Sequence, residues 1–210
     1  MSDAPRYSSD TRTSETIQLR GKTLLASGFH MPSRGSVDEL ENALISVGED
    51  GTIASVLRPQ DPAYDGELKS ARKADRLVTL PEGFYLLPGL VDLHVHAPQY
   101  PQLGQALDVP LEIWLHKYTF PLEARYADTA FARRCYELLV RDLLANGTTT
   151  ALYFATIHQD ATRILVDKCL ERGQRALVGK VAMDNAEECP DYYRDLSAEA
   201  AIDGTRALID

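Results

Sequence analysis

The chain has 210 residues, of which 44% are hydrophobic and 25% charged, and this is the composition of an ordinary globular protein. Its 31 acidic and 22 basic residues give a formal net charge of −9, so we expect no nucleic-acid partner that is bound through its phosphates. No run approaches the roughly 18 consecutive apolar residues that a spanning helix requires, so we expect no membrane segment.

The N-terminus and the cysteines indicate the compartment. Residues Met1–Arg20 mix acidic side chains with Ser and Thr, which predicts a disordered tail rather than a secretory or transit peptide. Three cysteines, Cys135, Cys169 and Cys189, are an odd number and form no CxxC pair. This usage is typical of a reducing compartment. We therefore expect a cytoplasmic, cytosolic protein.

Residues 1–83 are predicted to contain the tail and a small β-sandwich module. Within Ala43–Leu57, the pair Asp50-Gly51 stands between two alternating apolar runs, which is a strong hairpin signal. The following segment, Arg58–Arg76, is rich in Pro, Asp and Lys and is predicted to be a solvated loop.

From residue 84 onward the sequence alternates between strand and helix patterns. The predicted elements are a strand over Leu86–His96, a helix from Asp128 to Asn146-Gly147, a strand over Thr148–Thr156, a helix over Asp160–Arg172 closed by Gly173, a strand over Arg175–Met183 and a helix beginning near Ser197. Apolar strands separated by amphipathic helices favour a parallel sheet covered by helices.

The length of this second part limits the architecture. A closed eight-stranded barrel takes about 250 residues, and the stretch after Tyr85 is about half of that. We therefore predict an α/β fold in which residues 84–210 form the first part, about three βα units, of an incomplete (β/α)8 TIM-type barrel. The chain is expected to be the N-terminal portion of a longer protein.

The most informative motif is Asp92-Leu93-His94-Val95-His96. On a strand, alternate residues point the same way, so Asp92, His94 and His96 share one face and Leu93 the other. The two histidines are separated by roughly 6.6 Å at their Cα atoms, and both can reach one zinc ion through Zn–N bonds of about 2.0–2.1 Å. Val91, Leu93 and Val95 are expected to face the helix layer. Asp92 either orients an imidazole or forms a salt bridge.

The segment Pro88–His96 resembles the signature of the metal-dependent amidohydrolase superfamily. Beyond it, four further blocks are similar to the guanine deaminase family: Ala97–Tyr100, Trp114–Pro121, Asn146–His158 and Gly173–Asp184. The resemblance runs from about Leu86 to Asp184. It implies hydrolytic deamination of guanine to xanthine and ammonia, a step of purine catabolism, on one Zn²⁺ per active site, and a homodimer as the full-length assembly.

The resemblance also assigns residues. It implies that His94 and His96 are zinc ligands and that His96 and Gln99 contact the substrate, since a glutamine amide both donates to and accepts from a purine edge. The family's remaining ligands, a His from each of two later strands and an Asp from the last, and its proton-shuttling Glu have no counterpart here. No catalytic residue is therefore assigned within this chain, and residues 1–210 alone are expected to be inactive.

Two other interpretations remain open. One is a different aminohydrolase of the same superfamily, acting on a triazine, a pterin or a pyrimidine. The other is a non-catalytic module that binds a ligand or forms a dimer. Of the remaining histidines, His158 follows the second strand of this part, and we expect it to have a loop or packing role.

Overall fold

A computed structural model describes residues 18–209. Most of the predicted disordered tail, residues 1–17, lies outside the described residues. The chain divides into two compact units, one ending at Pro88 and one beginning at Gly89. In the described part of the chain, every helix is too short or too polar to cross a membrane.

The first unit is built on a single five-stranded sheet. Its elements are β1 (Thr23–His30), β2 (Asp38–Val47), β3 (Ile53–Leu57), α1 (Tyr64–Lys73), β4 (Leu77–Thr79) and β5 (Tyr85–Leu86). Strands β1, β2 and β3 are antiparallel neighbours, whereas β4 and β5 run parallel to β1. Because β5 pairs with β1, this unit extends to Pro88.

The predicted hairpin is confirmed between β2 and β3. Gly51 at its tip has a φ of +86°, a conformation that glycine adopts without steric cost. The Asp50 carboxylate accepts hydrogen bonds from the backbone N and the Oγ1 of Thr52, at 2.9 and 2.8 Å. These hydrogen bonds hold the pKa of Asp50 below its usual value, and they close the turn.

Two expectations for this unit need correction. The segment Arg58–Arg76 is not all loop, because it contains α1. The polar composition of this segment is typical of a loop, so the helix was not predicted. One contact between the helix and the sheet is polar: the Tyr64 hydroxyl donates to the Asn42 carbonyl at 2.6 Å. The predicted β-sandwich is also not found, since residues 18–88 form one sheet, and α1 packs against β2 and β4.

The second unit is a three-stranded parallel sheet with helices between the strands. Its main elements are β6 (Leu90–His96), α4 (Thr129–Ala145), β7 (Thr148–Phe154), α5 (Gln159–Arg172), β8 (Arg175–Gly179) and α6 (Ala198–Ile209). Shorter helical turns are Ala97–Gln102, α2 (Leu111–Trp114), Leu115–Thr119, α3 (Phe120–Ala124), Arg125–Ala127 and Asp191–Tyr193. The sheet order β6-β7-β8 confirms the predicted alternation of strands and helices.

Helices α4 and α5 end at residues that are typical of helix caps, and α4 also begins at one. The Asp128 carboxylate accepts from the backbone N of Ala130 and Phe131 and caps α4, as an N-cap side chain does. After α4 and α5 the chain turns at Gly147 and Gly173, whose φ values are +90° and +71°. Both helix predictions are confirmed to within one residue.

Strand β8 is shorter than predicted, ending at Gly179 instead of Met183. The end of its partner strand accounts for this, since β7 ends at Phe154, which pairs with Gly179. Beyond that pair, Val181 N donates to the Thr156 carbonyl at 3.3 Å. The Asp195 carboxylate accepts from the Met183 backbone N at 2.8 Å and from Lys180 Nζ at 2.9 Å.

The main core of the second unit lies between the sheet and helices α4 and α5. The helical spacing of the α4 sequence predicts an apolar stripe of Phe131, Cys135, Leu138, Leu139 and Leu143. The stripe is correct for Phe131, Cys135 and Leu139, which are buried. It is wrong for Leu138, which is 42% exposed. Fully buried residues on this helix include instead Tyr136 and Val140, so the buried face is rotated from the predicted stripe.

Gly28 tests the attachment of β5 to β1. A Cβ atom added at Gly28 would lie 2.0 Å from the Leu86 carbonyl oxygen, so the variant Gly28→Ala must displace β5. We expect a loss of about 1–3 kcal/mol in the free energy of unfolding, as for other overpacked sites, measured by urea denaturation.

The matched control is Gly66→Ala. Gly66 lies in α1 and is exposed, and a Cβ added there meets nothing within 4 Å. This control is expected to gain up to about 1 kcal/mol, because alanine favours helix. Equal stability of the two variants would contradict the close approach at Gly28.

Candidate metal and substrate site

His94 and His96 meet at the carboxyl end of β6. The two Nε2 atoms are 3.2 Å apart, and the ring centroids are 5.1 Å apart with the planes inclined at 62°. The predicted alternation thus brings both imidazoles to one point. At this distance both Nε2 atoms cannot carry a proton, so the pair needs either one shared proton or a cation.

Phe154, the last residue of β7, packs against the imidazole rings of His94 and His96. Its ring stacks on His96 with centroids 5.1 Å apart and planes inclined at 19°, and it lies 4.9 Å from the centroid of His94. The parallel register pairs His96 with Phe154. Sequence reasoning missed Phe154, although a large apolar side chain at the end of the neighbouring parallel strand is the available signal.

The donor set of this pair fits a zinc ion. Two nitrogens 3.2 Å apart that each bind zinc at about 2.0–2.1 Å subtend roughly 100° at the metal, which is close to tetrahedral. Desolvation by its surroundings, followed by the charge of His94, lowers the pKa of His96, which favours the neutral imidazole that binds metals. Residues 18–209 contain no group of three or more His, Cys, Asp or Glu placed to hold an ion.

Among the other residues of the motif, Asp92 makes a contact that the sequence did not predict. The Asp92 carboxylate accepts from the backbone N of His94 at 3.1 Å, so in the described residues it neither orients an imidazole nor forms a salt bridge. Val91 and Leu93, which were expected to face the helix layer with Val95, are 60% and 63% exposed, and the side toward which they face stays a prediction. Of the three apolar residues, Val95 packs on the core.

Gln99 lies in the 3-10 helix Ala97–Gln102 that follows β6. Its Nε2 donates to Glu123 Oε1 at 2.9 Å, and the hydroxyl of Tyr193 donates to Glu123 Oε2 at 2.7 Å. Glu123 is 6% exposed and Tyr193 is fully buried. The structure therefore places Gln99 three residues beyond the histidine pair, with its amide nitrogen bound to a buried carboxylate.

Glu123 is a residue that sequence reasoning missed. Burial raises its pKa, an effect that the hydrogen bonds from Tyr193 and Gln99 oppose. Tyr126 and Tyr136 also lie in its electrostatic surroundings, and no salt bridge joins Glu123 to a basic side chain within residues 18–209. The available signal is an acidic residue inside the otherwise apolar turn α3.

His158 lies beside Tyr193, and its loop or packing role stays a prediction. It precedes α5, its ring lies 5.8 Å from the Tyr193 ring, and burial lowers its pKa. Its backbone N donates to Thr156 Oγ1 at 3.0 Å. Its Nε2 atom is buried and has no hydrogen-bond partner among the described residues, and the ring is separate from the pair formed by His94 and His96.

Comparison with known proteins places the chain in a family. Residues 85–209 match the profile of the Amidohydrolase family, and the chain belongs to this family, which is metal-dependent. The resemblance carried by Pro88–His96 is thereby confirmed. The mixed α/β fold is also confirmed by solved structures of similar proteins.

Several similar proteins are guanine deaminases. The probable guanine deaminase of Schizosaccharomyces pombe is 42% identical over 183 residues, which cover 86% of this chain and 34% of that protein. A crystal structure of guanine deaminase from C. acetobutylicum with bound guanine in the active site has a TM-score of 0.76 and 33% identity, over 90% of this chain and 42% of that one.

A more distant structure shares the fold alone. Atrazine chlorohydrolase from Arthrobacter aurescens, complexed with zinc, has a TM-score of 0.63 and 18% identity, over 91% of this chain and 42% of that chain. The present chain spans 34% of the length of the S. pombe relative and 42% of the length of the C. acetobutylicum protein.

The buried carboxyl gives a stability prediction with a definite sign. Because the pKa of Glu123 is raised in the folded state, the protonated form is favoured by folding, and this contribution is present below the unfolded pKa and lost as pH rises through the folded pKa. The urea midpoint of wild type minus that of Glu123→Gln should therefore fall from pH 4 upward and level off above the folded pKa. A difference that is constant or rises with pH would show that burial does not dominate at this site.

Proposed function

We propose that His94 and His96 bind the single zinc ion of an active site that hydrolyses guanine to xanthine and ammonia. The observation that carries the proposal is the pair of Nε2 atoms 3.2 Å apart at the carboxyl end of β6. Active sites of barrel enzymes lie at this end of the strands. The 42% identity to a probable guanine deaminase supports guanine as the substrate.

Bound zinc supplies a nucleophile at neutral pH by lowering the pKa of water to about 7. The chain's own residues prepare the site. His94 and His96 offer ring nitrogens from one face of β6, and the Phe154 ring packs against both imidazoles. His96 and Gln99 face the substrate, and the amide of Gln99 supplies directed hydrogen bonds to a purine edge.

Guanine is favoured over the other aminohydrolase substrates by sequence identity. The C. acetobutylicum enzyme, whose structure contains guanine, is 33% identical to this chain, whereas the atrazine chlorohydrolase is 18% identical and supports the fold alone. We propose further that β6, β7 and β8 are the first three strands of a (β/α)8 barrel in the complete gene product.

The assembly and compartment are part of the same proposal. A homodimer rests on the resemblance to the guanine deaminase family. A cytosolic location is supported by the three cysteines of the described residues, which are all free thiols. Cys169 is buried, which raises the pKa of its thiol to about 11, so this cysteine is neutral and suits a packing role.

Replacement of the histidine pair tests the proposal. In the complete gene product, His94→Ala and His96→Ala should each abolish stoichiometric zinc, measured by elemental analysis. Each should also lower xanthine formation from guanine more than about 100-fold, since the loss of a metal ligand exceeds the cost of losing a group that only orients one.

His30→Ala is the matched control. His30 is exposed and pairs with Asp38 in the first unit, so zinc content and turnover should match wild type. Undiminished activity in both site variants, or turnover of adenine or cytosine in preference to guanine, would overturn the proposed reaction. A protein that binds zinc but turns over none of these bases would favour the non-catalytic module.

Residues 1–210 expressed alone should produce no xanthine. Within residues 18–209, two histidines converge and no third ligand joins them, whereas catalytic zinc sites use three protein ligands. The measurement is guanine consumption with zinc added, beside the complete gene product as the positive control. Clear turnover by the 210-residue chain would show that two protein ligands suffice.

A further inference from the structure

The amide of Gln99 has two chemically opposite ends of nearly the same shape. Its Nε2 donates to Glu123 at 2.9 Å, whereas its Oε1 accepts no hydrogen bond from another residue within 18–209. If the amide turned by 180°, the donor and the acceptor would exchange places. Which end a ligand meets is therefore decided by whatever holds the other end.

Glu123 determines the orientation of the Gln99 amide. Its two carboxylate oxygens accept, one from Gln99 and one from the Tyr193 hydroxyl. An ionised carboxylate has no proton to donate, so turning the amide would set the Gln99 oxygen against a carboxylate oxygen and repel it. The orientation with Nε2 toward Glu123 is thus the one that this neighbour permits.

Glu123 is itself held in place. It lies on α3, whereas Tyr193 comes from the turn Asp191–Tyr193, 70 residues later in the chain. Both side chains are buried, so water does not compete readily for these hydrogen bonds. The chain from Tyr193 through Glu123 to Gln99 connects three separate segments and ends at the predicted substrate residue.

We infer that Glu123 is a positioning residue that turns the carbonyl oxygen of Gln99 toward the substrate, so that the site selects a purine with an N–H donor beside the reacting carbon. The inference rests on the proposed function and names the feature of the substrate that is recognised. Guanine carries N1–H beside the amine-bearing C2. 2-Aminopurine carries the same amine beside a bare N1 lone pair, which the carbonyl oxygen repels.

The test uses the complete gene product and a double-mutant cycle. Glu123→Met keeps the side-chain volume but accepts no hydrogen bond from the amide, and Gln99→Met removes the amide. Each should raise the KM for guanine about tenfold, the worth of one hydrogen bond, with kcat within about threefold. The double variant should lose little more than either single variant, because both remove the same interaction.

A second readout distinguishes positioning from loosened structure. The dissociation constant of 2-aminopurine, followed by its own fluorescence, should fall in Glu123→Met, because the released amide can turn its NH2 toward the lone pair that the carbonyl oxygen repels in the wild type. Glu123→Gln should restore the KM for guanine to within about threefold, since its carbonyl still accepts from Gln99.

Thr119→Val is the matched control. It removes the 2.8 Å hydrogen bond to Gln102, another buried amide of the same 3-10 helix, and it should leave the KM for guanine unchanged. If Glu123→Met does not fold, Tyr193→Phe removes the other donor to Glu123, and it should raise the KM for guanine while 2-aminopurine binding persists.

Three results would overturn the inference: additive losses in the double variant, equal losses for guanine and 2-aminopurine, or a KM in Thr119→Val that rises as in Glu123→Met. These outcomes are separate from failure of the proposed function. In that case the wild-type protein itself would form no xanthine, whatever residue stands at position 123.

Discussion

The repulsion between two facing ring nitrogens governs the candidate site. His94 and His96 project from the same face of β6, and their Nε2 atoms lie 3.2 Å apart. At that separation the two lone pairs destabilise each other unless a proton or a metal ion lies between them. Phe154 on β7 packs against both rings. The arrangement therefore favours binding of a cation, and zinc would fit because imidazole nitrogens are among its usual ligands.

The features that sequence reasoning predicted are local. The histidine pair follows from the two-residue period of a strand, the β2–β3 hairpin from Asp50-Gly51, and the start of α4 from Asp128. Each depends on residues a few positions apart. Phe154, by contrast, reaches the histidines through the pairing of two strands separated by a long connection. No local pattern contains that information.

The other incorrect predictions also arise from contacts between residues that are far apart in the chain. Strand β8 stops at Gly179, opposite the last residue of β7, and Asp195 bonds to the chain beyond it. Helix α1 buries Tyr64 and Ala71 on one side, but this short apolar stripe lies in a segment that is otherwise polar, so the composition of the segment predicted a loop. The buried face of α4 is set by the helices and turns that it packs against, which leaves Leu138 exposed.

Magnitudes indicate why a buried carboxylate is retained at Glu123. Taking a carboxylate out of water costs several kcal/mol, and each hydrogen bond to a charged group returns about 1.5–3 kcal/mol. Two such bonds, from Gln99 and Tyr193, offset that cost only in part, because the pKa of Glu123 remains raised. The ionised carboxylate therefore does not add to stability, so orientation of the Gln99 amide explains the residue better than stability does.

The start of β6, at the opposite end from the histidine pair, also depends on a close contact with β7. A Cβ atom added at Gly89 would lie 1.9 Å from Thr149 Oγ1, so glycine permits the close approach of the chain to β7 where the two strands begin to pair. Leu90 N then donates to the Gly147 carbonyl at 2.8 Å, and the parallel pairing continues to His96 and Phe154. The register then shifts between Leu90 and Val91 and again between Asp92 and Val95. The close approach at Gly89 therefore sets where the pairing of β6 with β7 begins, whereas the pairing of His96 with Phe154 depends on both shifts.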